Sequence, residues 1–180
     1  MSEKPEILHQ TIVSRSRLFT VEAVDFKFSN GVERTYERLV PGGSGAVMMV
    51  AMLDNEHVAL IREFGGGVEE YTLTLPKGAV DLGETLEQAA NRELQEEIGY
   101  GAGKLTFLKH MSLSPSYMKS GIDIFLAEDL YPSVLEGDEP EPLELVKWPI
   151  ADLHELVMRD DCTEGRAIAA LYLARDYLAL

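Results

Sequence analysis

Apolar and polar positions alternate with a period near two through most of the first two thirds of the chain, and helical spacing interrupts them once. Leu18 to Phe28 (LFTVEAVDFKF) predicts a strand whose buried face switches near its middle, the mark of a bulge or a second covered surface. Asn30-Gly31 is a hairpin signal, and Val32 to Val40 (VERTYERLV) predicts the returning strand. Pro41-Gly42-Gly43-Ser44 breaks the pattern, dividing an N-terminal β unit, residues 1–43, from a remainder, 44–180. Ala46 to Leu53 and Val58 to Phe64 predict two strands about the polar turn Asp54-Asn55-Glu56-His57, and Gly65-Gly66-Gly67 precedes a short strand near Tyr71 to Leu75. Lys104 to Ser112, Ile122 to Ala127 and Glu144 to Trp148 predict further strands; Gly137 to Pro142 (GDEPEP) predicts an acidic, proline-punctuated loop. Two helices close the chain, about Ile150 to Met158 and about Glu164 to Ala179, the second with Ile168, Leu171, Tyr172 and Leu178 on one apolar stripe. Many strands and one central helix define an α+β class, a mixed-sheet sandwich.

That central helix has clear ends. Gly83 breaks the chain, Thr85 and Gln88 form a capping box, and Gly99 supplies a left-handed stop, so Thr85 to Ile98 is a helix of about four turns. Leu86, Ala90, Leu94 and Ile98 recur every four residues and face the core. The other face carries Glu93, Glu96 and Glu97. Like charges at such spacing cost an isolated helix roughly 0.2–0.5 kcal/mol per pair. The dipole at the C-terminal end opposes them further, and only Arg92, four residues before Glu96, compensates locally. A solvated acidic face is the ordinary reading of such a helix. The alternative is that a bound cation offsets the repulsion, and oxygen-only ligands favour a hard ion, Mg²⁺ or Mn²⁺.

Net charge sharpens this choice. Thirty-one acidic against sixteen basic residues give −15, which repels nucleic acid and anionic membrane alike and excludes both as bulk electrostatic partners. Phosphate would be held here only through metal ions or a few well-placed Arg and Lys. At 180 residues the chain supports one sizeable core. Its single cysteine, Cys162, forms no intrachain disulfide and builds no Cys-based zinc site, and no basic neighbour activates it as a nucleophile. His9, His57, His110 and His154 are scattered without ligand spacing. Met1 to Glu6 lacks a signal pattern, and the longest apolar run, Gly45 to Leu53, is about half a membrane span, so a cytoplasmic location is expected.

The helix also belongs to a longer frame: Gly78, five residues, Glu84, seven residues, then Arg92-Glu93-Leu94-Gln95-Glu96-Glu97-Ile98-Gly99. This frame resembles the Nudix box, with Tyr100 standing where an aliphatic residue is more usual. The resemblance implies a Nudix-type α/β/α sandwich with a mixed sheet. It implies divalent-metal ligands at Glu93, Glu96 and Glu97, an orienting ion pair from Arg92, and loop-shaping roles for Gly78 and Glu84. The chemistry implied is metal-assisted hydrolysis of a diphosphate linkage.

Pro115, sixteen residues after Gly99, and the run Ile122 to Leu130 (IDIFLAEDL) resemble Nudix enzymes that cleave ADP-ribose and related ADP-sugars. The expected substrates are small nucleotides, ADP-ribose, NADH and diadenosine polyphosphates, with AMP as product. Rival readings are another Nudix substrate, such as a nucleoside triphosphate, coenzyme A or a capped RNA end, or a non-catalytic nucleotide-binding module. Thr74-Leu75-Pro76-Lys77-Gly78 replaces the Glu-Leu-Pro-Ala-Gly of many ADP-sugar enzymes, which adds Lys77 as a substrate-binding cation and argues against strict ADP-ribose preference. Arg62 is a candidate phosphate clamp, or else a surface arginine at a strand end. Phe19, Phe64 and Tyr71 are candidates to stack an adenine, or else core. For the catalytic base the related enzymes point to a late loop, here Glu139 or Glu141, with Glu141 preferred by position; the competing readings are a solvated loop and water activation by a box glutamate. The N-terminal hairpin has apolar residues on both faces, and the resemblance points to a homodimer in which such arms cross.

Overall fold

The structure, a computed structural model, describes residues 3–179. Residues 6–40 make a three-stranded antiparallel meander of β1 (Glu6–Arg15), β2 (Thr20–Lys27) and β3 (Glu33–Val40). The β2–β3 turn forms as expected: Gly31 takes φ 81° and the Val32 amide donates to Asn30 Oδ1 at 3.1 Å. β2 and β3 pair without a register shift, so the face switch expected inside β2 is not a bulge there. The irregularities lie in β1, an element the sequence pattern did not predict, between Ile7 and His9 and between Ile12 and Ser14. Val24 alone in this sheet is fully buried. The sheet is tied to the rest of the chain by backbone bonds from Leu39, whose amide donates to the Tyr117 carbonyl (2.7 Å) and whose carbonyl accepts from the Lys119 amide (2.8 Å).

The remainder contains β4 (Ala46–Met52), β5 (His57–Gly65), β6 (Glu70–Thr74), β7 (Lys77–Ala79), α1 (Leu86–Glu97), β8 (Tyr100–Ser112), β9 (Gly121–Pro132) and β10 (Glu144–Pro149). A 3-10 turn at Ile150–Asp152 leads into α2 (Leu153–Val157), so the helix expected from Ile150 to Met158 is divided, and α3 (Gly165–Leu178) ends the described chain. The strands form one mixed sheet in the order β10-β5-β4-β9-β8, with β6 beside β5 and β7 beside β4. Only the β4–β9 pairing is parallel. Alternation along β4 divides the core in two. Met48, Val50 and Met52 pack with Leu153 and Leu171, while Val47, Met49 and Ala51 pack with Ala90 and Leu94 of α1. The result is the expected α/β/α sandwich. Among the described residues no helix is long and apolar enough to cross a membrane.

One irregularity of the sheet positions the site. β4 and β5 pair only at Ala51–Ala59 and Met52–Val58, then diverge. β6 and β7 fill the opening, with the Met49 amide donating to the Pro76 carbonyl at 2.8 Å. Lys77 to Ala79, not predicted as a strand, is thereby held against β4 and beside α1. The helix is fixed in turn by its Thr85–Gln88 capping box, by Gly99 at φ 75°, and by Asn91, whose Oδ1 accepts from the Ala102 amide at 2.7 Å. Burial of Leu94 adds about 1.5–3 kcal/mol.

Candidate active site

Arg92 is the organising cation of the helix face. Its guanidinium grips Glu84 through two parallel bonds, Nε to Oε1 at 2.9 Å and Nη2 to Oε2 at 3.0 Å, and donates to the Ala79 carbonyl at 2.9 Å. Nη1 bridges Glu93 (2.8 Å) and Glu96 (2.9 Å). Glu84 also accepts from the Asp81 amide at 3.0 Å, which closes the loop before α1. Hydrogen bonds from Arg92 and from that amide hold the Glu84 carboxyl below the usual range. Arg92 thus joins the β7 end, the loop and two of the three helix glutamates.

The third glutamate is buried differently. Glu97 accepts from the Lys77 amide at 2.9 Å, and burial dominates its titration, pushing its pKa from 4.5 up to about 8 against the pull of that amide and of the Lys77 charge. Burial also raises Glu93, which Arg92 only partly offsets and to which Glu96 and Asp138 add repulsion. Gly78 is what allows Glu93 this position: a Cβ there would lie 2.0 Å from the Glu93 carboxylate. The Lys77 ammonium pairs with Glu63, a residue sequence reasoning missed.

These groups line an open cleft of about 780 Å³ whose opposite wall is the loop 136–143. Eight of its lining residues are acids, among them Glu93, Glu96, Glu97, Asp138, Glu139 and Glu141, against two cations, Lys77 and Arg92. Burial, then repulsion from Glu63 and Asp138, raises the Glu139 pKa. Glu141 instead accepts a hydrogen bond from the Tyr71 hydroxyl, which raises the Tyr71 pKa and keeps it a donor. Among the described residues the acidic side chains do not converge on one point as bound ligands would; Arg92 draws Glu93 and Glu96 while the Lys77 amide draws Glu97. Their chemistry nevertheless fits a hard divalent ion: all the donors are oxygens, they share one cleft, and the cation nearest the buried Glu97, Lys77, is already paired with Glu63.

Four expected site residues of the helix, Arg92, Glu93, Glu96 and Glu97, therefore stand together with Lys77 and Glu141 in one cleft. Arg62 stands apart. It lies on β5, with Nε on Glu144 (3.0 Å) and Nη1 on Asp161 (3.0 Å), so its charge is already used between β10 and the chain before α3. Phe64 and Tyr71 face each other edge to face across β5 and β6 at 5.4 Å, and Phe19 is exposed at the tip of the N-terminal sheet. Cys162 is buried, and burial pushes its thiol pKa up. His57 pairs with Asp54 and His110 with Asp123, each at 2.8 Å.

Residues 44–170 match the NUDIX domain, and residues 5–38 match the NudE-type Nudix hydrolase N-terminal domain. The chain belongs to the Nudix hydrolase family, whose members use a divalent metal ion. It is 53% identical to the ADP compounds hydrolase NudE of Escherichia coli (strain K12), over 98% of this chain and 94% of that one. It is 28% identical to an ADP-ribose pyrophosphatase of Bacillus subtilis (strain 168), over 91% of each. A crystal structure of an ADP compounds hydrolase superposes with a TM-score of 0.91 at 51% identity, covering 99% of this chain and 96% of the other.

Proposed function

We propose that this enzyme hydrolyses the diphosphate linkage of small ADP-containing molecules, ADP-ribose, NADH and diadenosine polyphosphates, releasing AMP and the remaining phosphate ester. The observation that carries this is the cleft formed by Glu93, Glu96 and Glu97 opposite an acidic loop, in a chain so similar to an ADP compounds hydrolase. Glu93, Glu96 and Glu97 would hold the metal, Mg²⁺ with Mn²⁺ as a substitute. An ion bound there would neutralise the diphosphate and lower the pKa of the attacking water.

The chain's own groups do the rest. Arg92 keeps Glu93 and Glu96 side by side, and Gly78 leaves room for the first of them. Lys77 offers the cation for a phosphoryl oxygen once it leaves Glu63. A carboxylate of the 136–143 loop receives the proton of the water. Water adds to a phosphorus, the bridging P–O bond breaks, and the leaving phosphate takes the electron pair.

The homodimer is proposed on the form of β1. Ile7, Leu8, Ile12 and Val13 are each roughly half exposed along a ten-residue edge strand, an apolar edge that a second copy would cover. A cytoplasmic location is proposed with it, supported by the single, buried cysteine. The activity is tested by offering ADP-ribose, NADH, diadenosine triphosphate and dGTP with Mg²⁺. AMP from the first three at rates well above dGTP turnover supports the assignment; preference for dGTP overturns it.

A further inference from the structure

The loop 136–143 is tied down at both roots. On the side of α1, the Leu135 amide donates to the Gln95 carbonyl (3.1 Å) and the Ser133 hydroxyl to Gln95 Oε1 (2.7 Å). On the side of β10, the Tyr71 hydroxyl donates to Glu141. Tyr71 is itself set by β6, whose register against β5 seats its ring on Phe64. Three of the loop's four acids, Asp138, Glu139 and Glu141, meet different partners. Asp138 is near enough to Glu93 to repel it, Glu139 meets the charges of Glu63 and Lys77, and Glu141 is taken up by the Tyr71 hydroxyl.

We propose that Tyr71 is a positioning residue of the active site: by anchoring Glu141 it fixes the loop over the carboxylate cluster, so that Glu139, rather than Glu141, is the loop carboxylate presented to the reacting water. The proposal rests on the hydrolase reading above and revises the preference drawn from sequence position. Its chemical basis is that the Glu141 carboxylate is already engaged by the Tyr71 hydroxyl, which leaves Glu139 as the loop acid beside Lys77 and Glu63. Glu141 needs only to accept a hydrogen bond, a task glutamine also performs. Glu139 needs a titratable oxygen, which glutamine lacks.

The test combines AMP release from ADP-ribose with Mg²⁺ and amide hydrogen exchange of the full chain. Tyr71→Phe keeps the ring on Phe64 and removes only the donor. It is expected to lower kcat about tenfold with KM within about twofold, and to speed exchange in residues 136–143 alone. Glu141→Gln is expected to stay within about threefold of the parent kcat, because the acceptor survives. Glu139→Gln is expected to lose at least about 100-fold in kcat with unaltered loop exchange. A Tyr71→Phe protein with parental kcat, or with slowed turnover but unaltered loop exchange, overturns the positioning role. So does a Glu141→Gln protein as damaged as Glu139→Gln. Should the parent protein release no AMP, the substrate reading fails, and loop exchange in Tyr71→Phe still decides the anchor: faster exchange supports it and unchanged exchange overturns it.

Discussion

A Cβ on Gly78 would stand 2.0 Å from the carboxylate of Glu93, so the glycine and the glutamate occupy complementary space. The splay of β4 from β5 brings β7 this close to the helix. Gly78→Ala must push Glu93 aside. The expected result is a loss of roughly 100-fold or more in kcat/KM, the scale of a misplaced catalytic group, with a far smaller change in thermal stability. Steady-state kinetics beside a melting curve check it; near-parental activity would mean that Glu93 tolerates displacement.

Arg92 makes a planar, two-bond contact with Glu84 while bridging Glu93 and Glu96. A lysine offers one point charge and cannot reproduce that fork. Arg92→Lys should destabilise the fold by about 1–3 kcal/mol, the scale of lost charge-assisted bonds, and lower kcat by at least about tenfold. Urea unfolding and initial rates measure the two effects separately.

Glu97 sets a pH dependence with a definite sign. Its folded-state pKa is raised from 4.5 to about 8, chiefly by burial. Below the lower value both folded and unfolded chains carry the proton. As pH rises toward the upper value the unfolded chain releases it first, so this contribution to stability is progressively lost. Metal-free protein should therefore lose melting temperature from about pH 5 to about pH 8, and Glu97→Gln should lose less over the same window. Mg²⁺ favours the charged carboxylate and should stabilise the parent more at the alkaline end. Equal slopes for parent and variant would remove Glu97 as the cause.

The parts of this structure written in local sequence were legible there. Thr85 with Gln88, and Gly99, mark the two ends of α1 without reference to any neighbour, and the glutamate spacing follows from helix geometry. β1 was not legible because its apolar residues come in adjacent pairs, Ile7-Leu8 and Ile12-Val13, and the register shifts at those pairs erase the alternation that betrays a strand. The pairs Glu63–Lys77 and Tyr71–Glu141 were hidden for a different reason. They depend on how β6 and β7 fill the gap between β5 and β4, a long-range arrangement that no local spacing encodes. Arg62 read as a candidate phosphate clamp or a surface arginine because its partners, Glu144 and Asp161, are distant in the chain.

The same edge strand that escaped the sequence pattern carries the prediction on assembly. A monomer of 20.0 kDa gives a dimer of about 40 kDa, and light scattering should find the latter. Ile12→Arg places a charge on the half-exposed β1 and should shift the mass toward the monomer. A parent chain that scatters as a monomer at all concentrations contradicts the proposed assembly.

The most direct measurement is the rate of AMP release from ADP-ribose by the parent and by Glu97→Gln, each with Mg²⁺ and after chelation. Release by the parent is expected only with the ion, with a loss of at least about 100-fold in the variant, whose side chain can no longer serve as an anionic ligand. Metal-independent release, or a Glu97→Gln protein as active as its parent, would contradict the proposed function.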